Sequence, residues 1–396
     1  MKLAAFARAV VAVALSLGLS SCSAPPGWMV LQGKSAITDH RHFDNAPIVK
    51  APLPAALPSA PAPLQWPDGL AQDAAERLLA ENGTVAFIVI RRGAVVYERY
   101  FNGYARDTVT TSFSMAKSVV SALLGIAIGE GRIASVDEPV TRYLPELRGN
   151  DRRFDRITLR HLLAMRSSIA FEEAYRTPLS EAARFYLGPD LRAEVAKLKI
   201  EGEPDRAYRY LSGNTQLLAM VVERATGMPI ARYLESRVWQ PMGAEFDASW
   251  SLDSAASGVA RAFCCLNARA VDYARFGLVF LNGGRFHGRQ IVPAAWVAQS
   301  TAAQSLSGSD DAARRNIERP DSANPTFYAW QWRRMPAAAS ATTTPRLPGN
   351  DFYAQGLYGQ VLYIAPGTDT VVLRLGSRWG EVPWPAWMGR VARANP

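Results

Sequence analysis

The chain of 396 residues is poor in the side chains that staple or metallate exported proteins, with three cysteines and four histidines. Cys264 and Cys265 are neighbours, and adjacent Cα atoms lie about 3.8 Å apart, below the range of an ordinary disulfide. Cys22 belongs to the N-terminal leader, so no ordinary structural bridge is expected and stability has to come from the core. The adjacent pair reads as small buried apolar residues, and the lack of a nearby His or further Cys argues against a metal site. His40, His42, His161 and His287 are scattered and suggest no Ser-His-Asp triad; His161 falls in a helix-forming segment and reads as structural. Gly-x-Ser-x-Gly does not occur, which argues against an α/β-hydrolase nucleophile elbow. After the leader, no apolar run reaches the roughly 18 residues of a membrane span. The net charge is +9, yet no basic run is interleaved with aromatics, so nucleic acid is not an expected partner.

What is present is a chain 48% hydrophobic, enough for a large core. Lys2 and Arg8 precede an apolar run from Ala9 to Leu19, too short to cross a bilayer but suited to a cleavable signal. Leu19-Ser20-Ser21-Cys22 is similar to the bacterial lipobox, which makes residues 1–22 a lipoprotein signal peptide and Cys22 the lipidated residue. The expected location is then outside the cytoplasm on a membrane anchor. Ser23 in place of Asp implies the periplasmic face of the outer membrane in a Gram-negative host. Residues 23–68, punctuated by Pro47, Pro52, Pro54, Pro58, Pro61, Pro63 and Pro67, read as a Pro-rich tether to a domain over residues 69–396.

Order is expected from near Gly69, beginning with a helix over Ala71–Asn82. Thr84–Ile90 and Ala94–Tyr100 flank Arg91-Arg92-Gly93 as a hairpin, and Gly359–Ile364 and Thr370–Leu375 form a second strand pair. Between them the pattern is helical over Ser114–Glu130, Leu159–Met165, Thr215–Thr226, Ile230–Val238 and Ala270–Leu281. Strands at both ends imply one sheet assembled from distant segments, with a helical lobe inserted. The polar tract Ser305–Arg319 reads as an exposed loop.

The chemistry centres on Ser114-Met115-Ala116-Lys117, which opens a helix apolar nearly all round and therefore buried. A spacing of three puts Ser114 and Lys117 on one helix face. A serine hydroxyl is a weak nucleophile until a neighbouring base takes its proton. A lysine at the start of a buried helix is desolvated, which disfavours its charged form and suits it to that task. Lysine is scarce in this chain, and only Lys117 has a serine three residues before it. A second candidate is Tyr210, just before the amphipathic run from Thr215, with Ser212 two residues on.

Ser114-x-x-Lys117 followed by Tyr210-x-Ser212 resembles the serine β-lactamase and penicillin-binding-protein family, on its class C side. That family includes D-alanyl-D-alanine peptidases, esterases and the nylon-oligomer (6-aminohexanoate-dimer) hydrolases, whose serine in place of the class C asparagine matches Ser212. Ile157–Ser168, Val222–Gly227, Trp239–Gly243 and Ala270–Gly277 are similar to its framework segments. The resemblance implies an α/β (α+β) fold with an antiparallel sheet flanked by helices, an all-α lobe, and the active site between them. It also implies a Ser114 acyl-enzyme formed from a small amide or ester, a proton relay through Lys117 and Tyr210, and no metal or cofactor. The family's third motif has no literal match. Ala354-Gln355-Gly356 stands in its place, with Ser212, Gln355, Gly356 and the N–H of Leu357 as substrate or oxyanion contacts. Its missing lysine speaks against efficient β-lactam hydrolysis. A carboxylesterase, a wall peptidase and a non-catalytic wall-binding lipoprotein remain open alternatives.

Overall fold

A computed structural model describes residues 35–175, 180–302, 327–334 and 350–395. The leader, Cys22 and the tract Ser305–Arg319 lie outside the described residues. In chain order the elements used below are β1 (Asn45–Ile48), α1 (Gln72–Glu81), β2 (Thr84–Arg91), β3 (Ala94–Tyr100), β4 (Thr110–Thr111), α2 (Ala116–Gly129) and α3 (Leu159–Leu163). They continue with α4 (Ser212–Thr226), β5 (Ala248–Ser251), β6 (Leu266–Ala268), α5 (Ala270–Leu281), β7 (Phe327–Tyr328) and β8 (Arg333–Arg334). The last are β9 (Phe352–Gly356), β10 (Gln360–Ala365), β11 (Thr370–Gly376) and α6 (Trp384–Ala394).

The main sheet has seven antiparallel strands in the order β7-β8-β9-β10-β11-β2-β3. It joins the N-terminal hairpin to C-terminal strands by pairing Val89 with Val372 and Phe87 with Arg374. Strands β2, β10 and β11 are buried nearly throughout, as their unbroken apolar runs require when both faces are covered. Helix α5 packs against β10 and β11, and α6 also packs against these two strands. Helix α2 is buried from Ala116 to Ala127 and packs against α4. The antiparallel sheet flanked by helices is the architecture expected.

The tether reading fails for residues 35–68. β1 pairs with β5 in a four-stranded sheet ordered β1-β5-β6-β4. Trp66 is 4% exposed and packs on Phe87, Tyr97 and Trp387 at 5.3–6.0 Å between ring centroids. Segment 58–62 runs along β3, with Ala60 N–H donating to the Val95 carbonyl at 2.9 Å. Proline density suggested a solvated chain, but proline is tolerated on an edge strand, where Pro47 sits, and an extended segment can still bury its aromatic residues.

Candidate active site

From Thr110 to Ala127 every residue is buried except Ser114, which alone keeps partial access to solvent. It sits in the short 3-10 turn Phe113–Met115 that leads into α2. Phe113 takes a left-handed φ of 45°, a conformation that costs a non-glycine residue energy and needs support from its surroundings. That support is visible: Phe113 packs edge-on against Tyr358 at 5.5 Å, and Ser112 N–H donates to the Leu266 carbonyl at 2.8 Å.

One turn on, Lys117 is 1% exposed. Its Nζ donates to Ser114 Oγ at 3.1 Å, to Ser212 Oγ at 3.1 Å and to the Phe263 carbonyl at 2.8 Å. An ammonium has three hydrogens, so this set of acceptors fixes its position completely. The expected pairing of Ser114 with Lys117 is therefore present, and Ser212, at the first residue of α4, completes it.

Ser212 in turn engages a carboxylate the sequence did not single out. Glu173 accepts the Ser212 N–H at 2.6 Å and the Ser212 hydroxyl at 2.5 Å. Burial pushes the Glu173 carboxyl above the usual range, opposed by the Lys117 charge and the hydrogen bonds from Ser212. Ser114, Lys117, Ser212 and Glu173 thus form one hydrogen-bonded chain.

Tyr210 reaches the same place by a different surface than expected. Its ring lies 5.0 Å from Lys117 Nζ, a cation–π contact, and packs on the cluster of Met165, Tyr208 and Tyr328. Among the described residues its hydroxyl makes no hydrogen bond to Ser114 or Lys117. The place a relay would occupy is taken by the Ser212 hydroxyl, because α4 begins at Ser212 and directs that side chain inward.

On the opposite wall, β9 runs beside the turn that bears Ser114. A Cβ on Gly356 would meet the Ser112 carbonyl oxygen at 2.4 Å and the Ser114 nitrogen at 3.1 Å, so only glycine permits this approach. Leu357 follows at the strand end. Gln355 faces away from Gly356 by strand alternation and makes no hydrogen bond to the serines or lysine.

The loop supplying the Phe263 carbonyl corrects another expectation. Cys264 and Cys265 are bonded to each other, and both are buried. The Cα-distance limit for ordinary bridges applies to residues meeting through space. Neighbours can instead close a small ring by turning the backbone, and Cys265 has a φ of 61°.

The family profile described as Beta-lactamase matches residues 72–392, which contain all of these side chains. The chain belongs to the beta-lactamase family. It is 31% identical over 330 residues to the 6-aminohexanoate-dimer hydrolase of Paenarthrobacter ureafaciens, covering 79% of this chain and 77% of that protein. It is 32% identical over 182 residues to esterase EstB of Burkholderia gladioli, covering 41% of this chain and 45% of that one. A solved Bacillus anthracis structure named as a 6-aminohexanoate-dimer hydrolase superimposes with a TM-score of 0.73 at 25% identity, covering 90% of each chain. Membership makes this beta-lactamase-family chain a hydrolase of the serine type.

Within that family frame, His161 is structural, as its place suggested. Its Nδ1 accepts the Thr158 N–H at 3.1 Å, and the Thr158 hydroxyl accepts the His161 N–H at 3.3 Å, a reciprocal cap on α3. Glu173 and the Phe263 carbonyl had no signal in the sequence. Glu173 stands in no spaced motif, and a backbone oxygen carries no side-chain signature.

Proposed function

We propose that the protein hydrolyses a small amide or ester through an acyl-enzyme on Ser114. The observation that carries this reading is the single contact set of Lys117, which ties the one accessible hydroxyl of a buried run to a buried carboxylate through Ser212. In the proposed sequence Lys117 passes a proton through the Ser212 hydroxyl to Glu173, and the resulting amine takes the proton of Ser114 as its oxygen attacks the carbonyl. The N–H groups of Ser114 and Leu357 stabilise the oxyanion; the close approach of Gly356 to Ser114 supports that pairing. Lys117 then returns the proton to the departing amine or alcohol, and water releases the acyl group by the same route.

Amide and ester substrates share this acyl-enzyme, and the similarity to both a dimer hydrolase and an esterase supports the general class. Labelling with a fluorophosphonate and with a fluorescent penicillin, in wild type and Ser114→Ala, tests nucleophile and substrate class together. Fluorophosphonate labelling that depends on Ser114 is expected, with at least a roughly 10²–10³-fold loss of ester hydrolysis in the variant. Equal labelling of both proteins refutes the reading, and rapid penicillin labelling moves it toward a wall peptidase.

We also propose export and anchoring through lipid on Cys22, supported by the leader and by Leu19-Ser20-Ser21-Cys22. Palmitate incorporation that persists in Cys22→Ala would overturn it.

A further inference from the structure

Arg333 stands on β8 beside the candidate site, 8% exposed. Among the described residues its guanidinium has no hydrogen bond and no ion pair. Its contacts are two aromatic faces: Cζ lies 5.4 Å from the centroid of Tyr210 and 5.9 Å from that of Tyr328. Acids on nearby elements are engaged elsewhere. Glu173 holds Ser212, while Asp351 accepts the Tyr363 hydroxyl at 2.7 Å and pairs with Arg393 at 3.5 Å. A buried guanidinium with five N–H donors and no acceptor is costly, so its placement calls for an anion supplied from outside the chain.

Two features tie that anion to the chemistry. The ring of Tyr210 contacts both Lys117 and Arg333, so a single side chain links the two cations. The turn before β8 is also fixed to the helices of the site. Gln331 Nε2 donates to the Leu163 carbonyl at 2.9 Å, Gln331 Oε1 accepts from Thr215 at 2.8 Å, and Ser118 Oγ donates to the Gln331 carbonyl at 2.6 Å. Arg333 is thus held at a set position relative to α2, α3 and α4. On β9, the neighbouring strand, Ala354 offers no cation of its own, which leaves Arg333 to serve this side of the cleft.

We propose that the substrate carries a carboxylate and that Arg333 binds it by paired N–H donation, with a short aliphatic or aromatic spacer between the carboxylate and the scissile carbonyl. This rests on the hydrolase reading above and adds the substrate class to it. The planar fork of arginine suits a carboxylate in two-point contact, and low exposure strengthens the attraction.

The test compares matched esters in the purified protein: p-nitrophenyl hemiglutarate against p-nitrophenyl pentanoate, and 4-acetoxybenzoate against phenyl acetate. The readout is the ratio of kcat/KM for the anionic over the neutral member. Arg333→Gln should lower that ratio about 10- to 100-fold in at least one pair, mostly through KM, and Arg333→Lys should restore part of it. Calorimetric titration of Ser114→Ala with hexanoate and with hexanamide reads the same site without turnover. Binding of hexanoate that disappears in Ser114→Ala/Arg333→Gln is expected. Unchanged ratios in both pairs, or hexanoate and hexanamide binding alike, would overturn the proposal. Ester hydrolysis that survives in Ser114→Ala would instead overturn the hydrolase reading and leave the titration to judge Arg333.

Discussion

Glu173 holds Ser212 with both carboxylate oxygens, one on its N–H and one on its hydroxyl. That hydroxyl is therefore committed as a donor to Glu173 and can offer Lys117 only a lone pair. A direction for proton movement follows, from the lysine toward the carboxylate.

Glu173→Gln keeps the shape and removes the proton acceptor. We expect kcat to fall about 10²–10⁴-fold, as for loss of a general base. The wild-type rate should fall as pH drops through the raised Glu173 value, because only the ionised carboxylate accepts a proton. That acidic limb should lie above the usual carboxylate range and should be absent from the variant. A pH profile of kcat measures both.

Gly356→Ala places a methyl group 2.4 Å from the Ser112 carbonyl oxygen, so β9 or the Ser114 turn has to move. Overpacking of this kind costs about 1–3 kcal/mol. The melting temperature should fall, and kcat should fall roughly 10²-fold with it if the oxyanion donors separate. A normal kcat in a destabilised variant would mean that the close approach serves packing only.

Thr158→Ala removes the cap of α3. A loss of about 0.5–2 kcal/mol in denaturant unfolding is expected, with kcat close to wild type. A large loss of turnover at unchanged stability would contradict a purely structural role for Thr158 and His161.

Trp66→Ala empties a site bounded by Phe87, Tyr97 and Trp387. Loss of a buried tryptophan costs about 3–5 kcal/mol, which urea unfolding would register. A change below about 1 kcal/mol, as for an exposed linker residue, would count against its place in the core.

Much of this molecule is legible in its residues, for identifiable reasons. Thr84–Ile90 and Thr370–Leu375 announce buried strands because few structures other than a covered sheet bury so continuous an apolar run. Ser114 and Lys117 announce themselves because helical geometry turns a spacing of three into a shared face. Tyr210 signals its closeness to Lys117, but which of its surfaces meets the lysine depends on the cluster of Met165, Tyr208 and Tyr328, drawn from three separate segments. Glu173 and Arg333 are invisible for a related reason: one acid or one arginine in an arginine-rich chain gains meaning only from what surrounds it. The Cys264–Cys265 bond escapes a through-space distance criterion because its two residues are already joined by a peptide.

The family match opens at residue 72, whereas ordered packing begins well before it. A recombinant fragment cut to the match would retain every group assigned to chemistry and still be an incomplete molecule. Ser251 and Asn267 would lose the Asn45 side chain that both donate to, and Phe87 and Trp387 would face water where an indole had covered them. Poor yield or a silent assay from such a fragment would then reflect a missing wall of the protein rather than a missing activity.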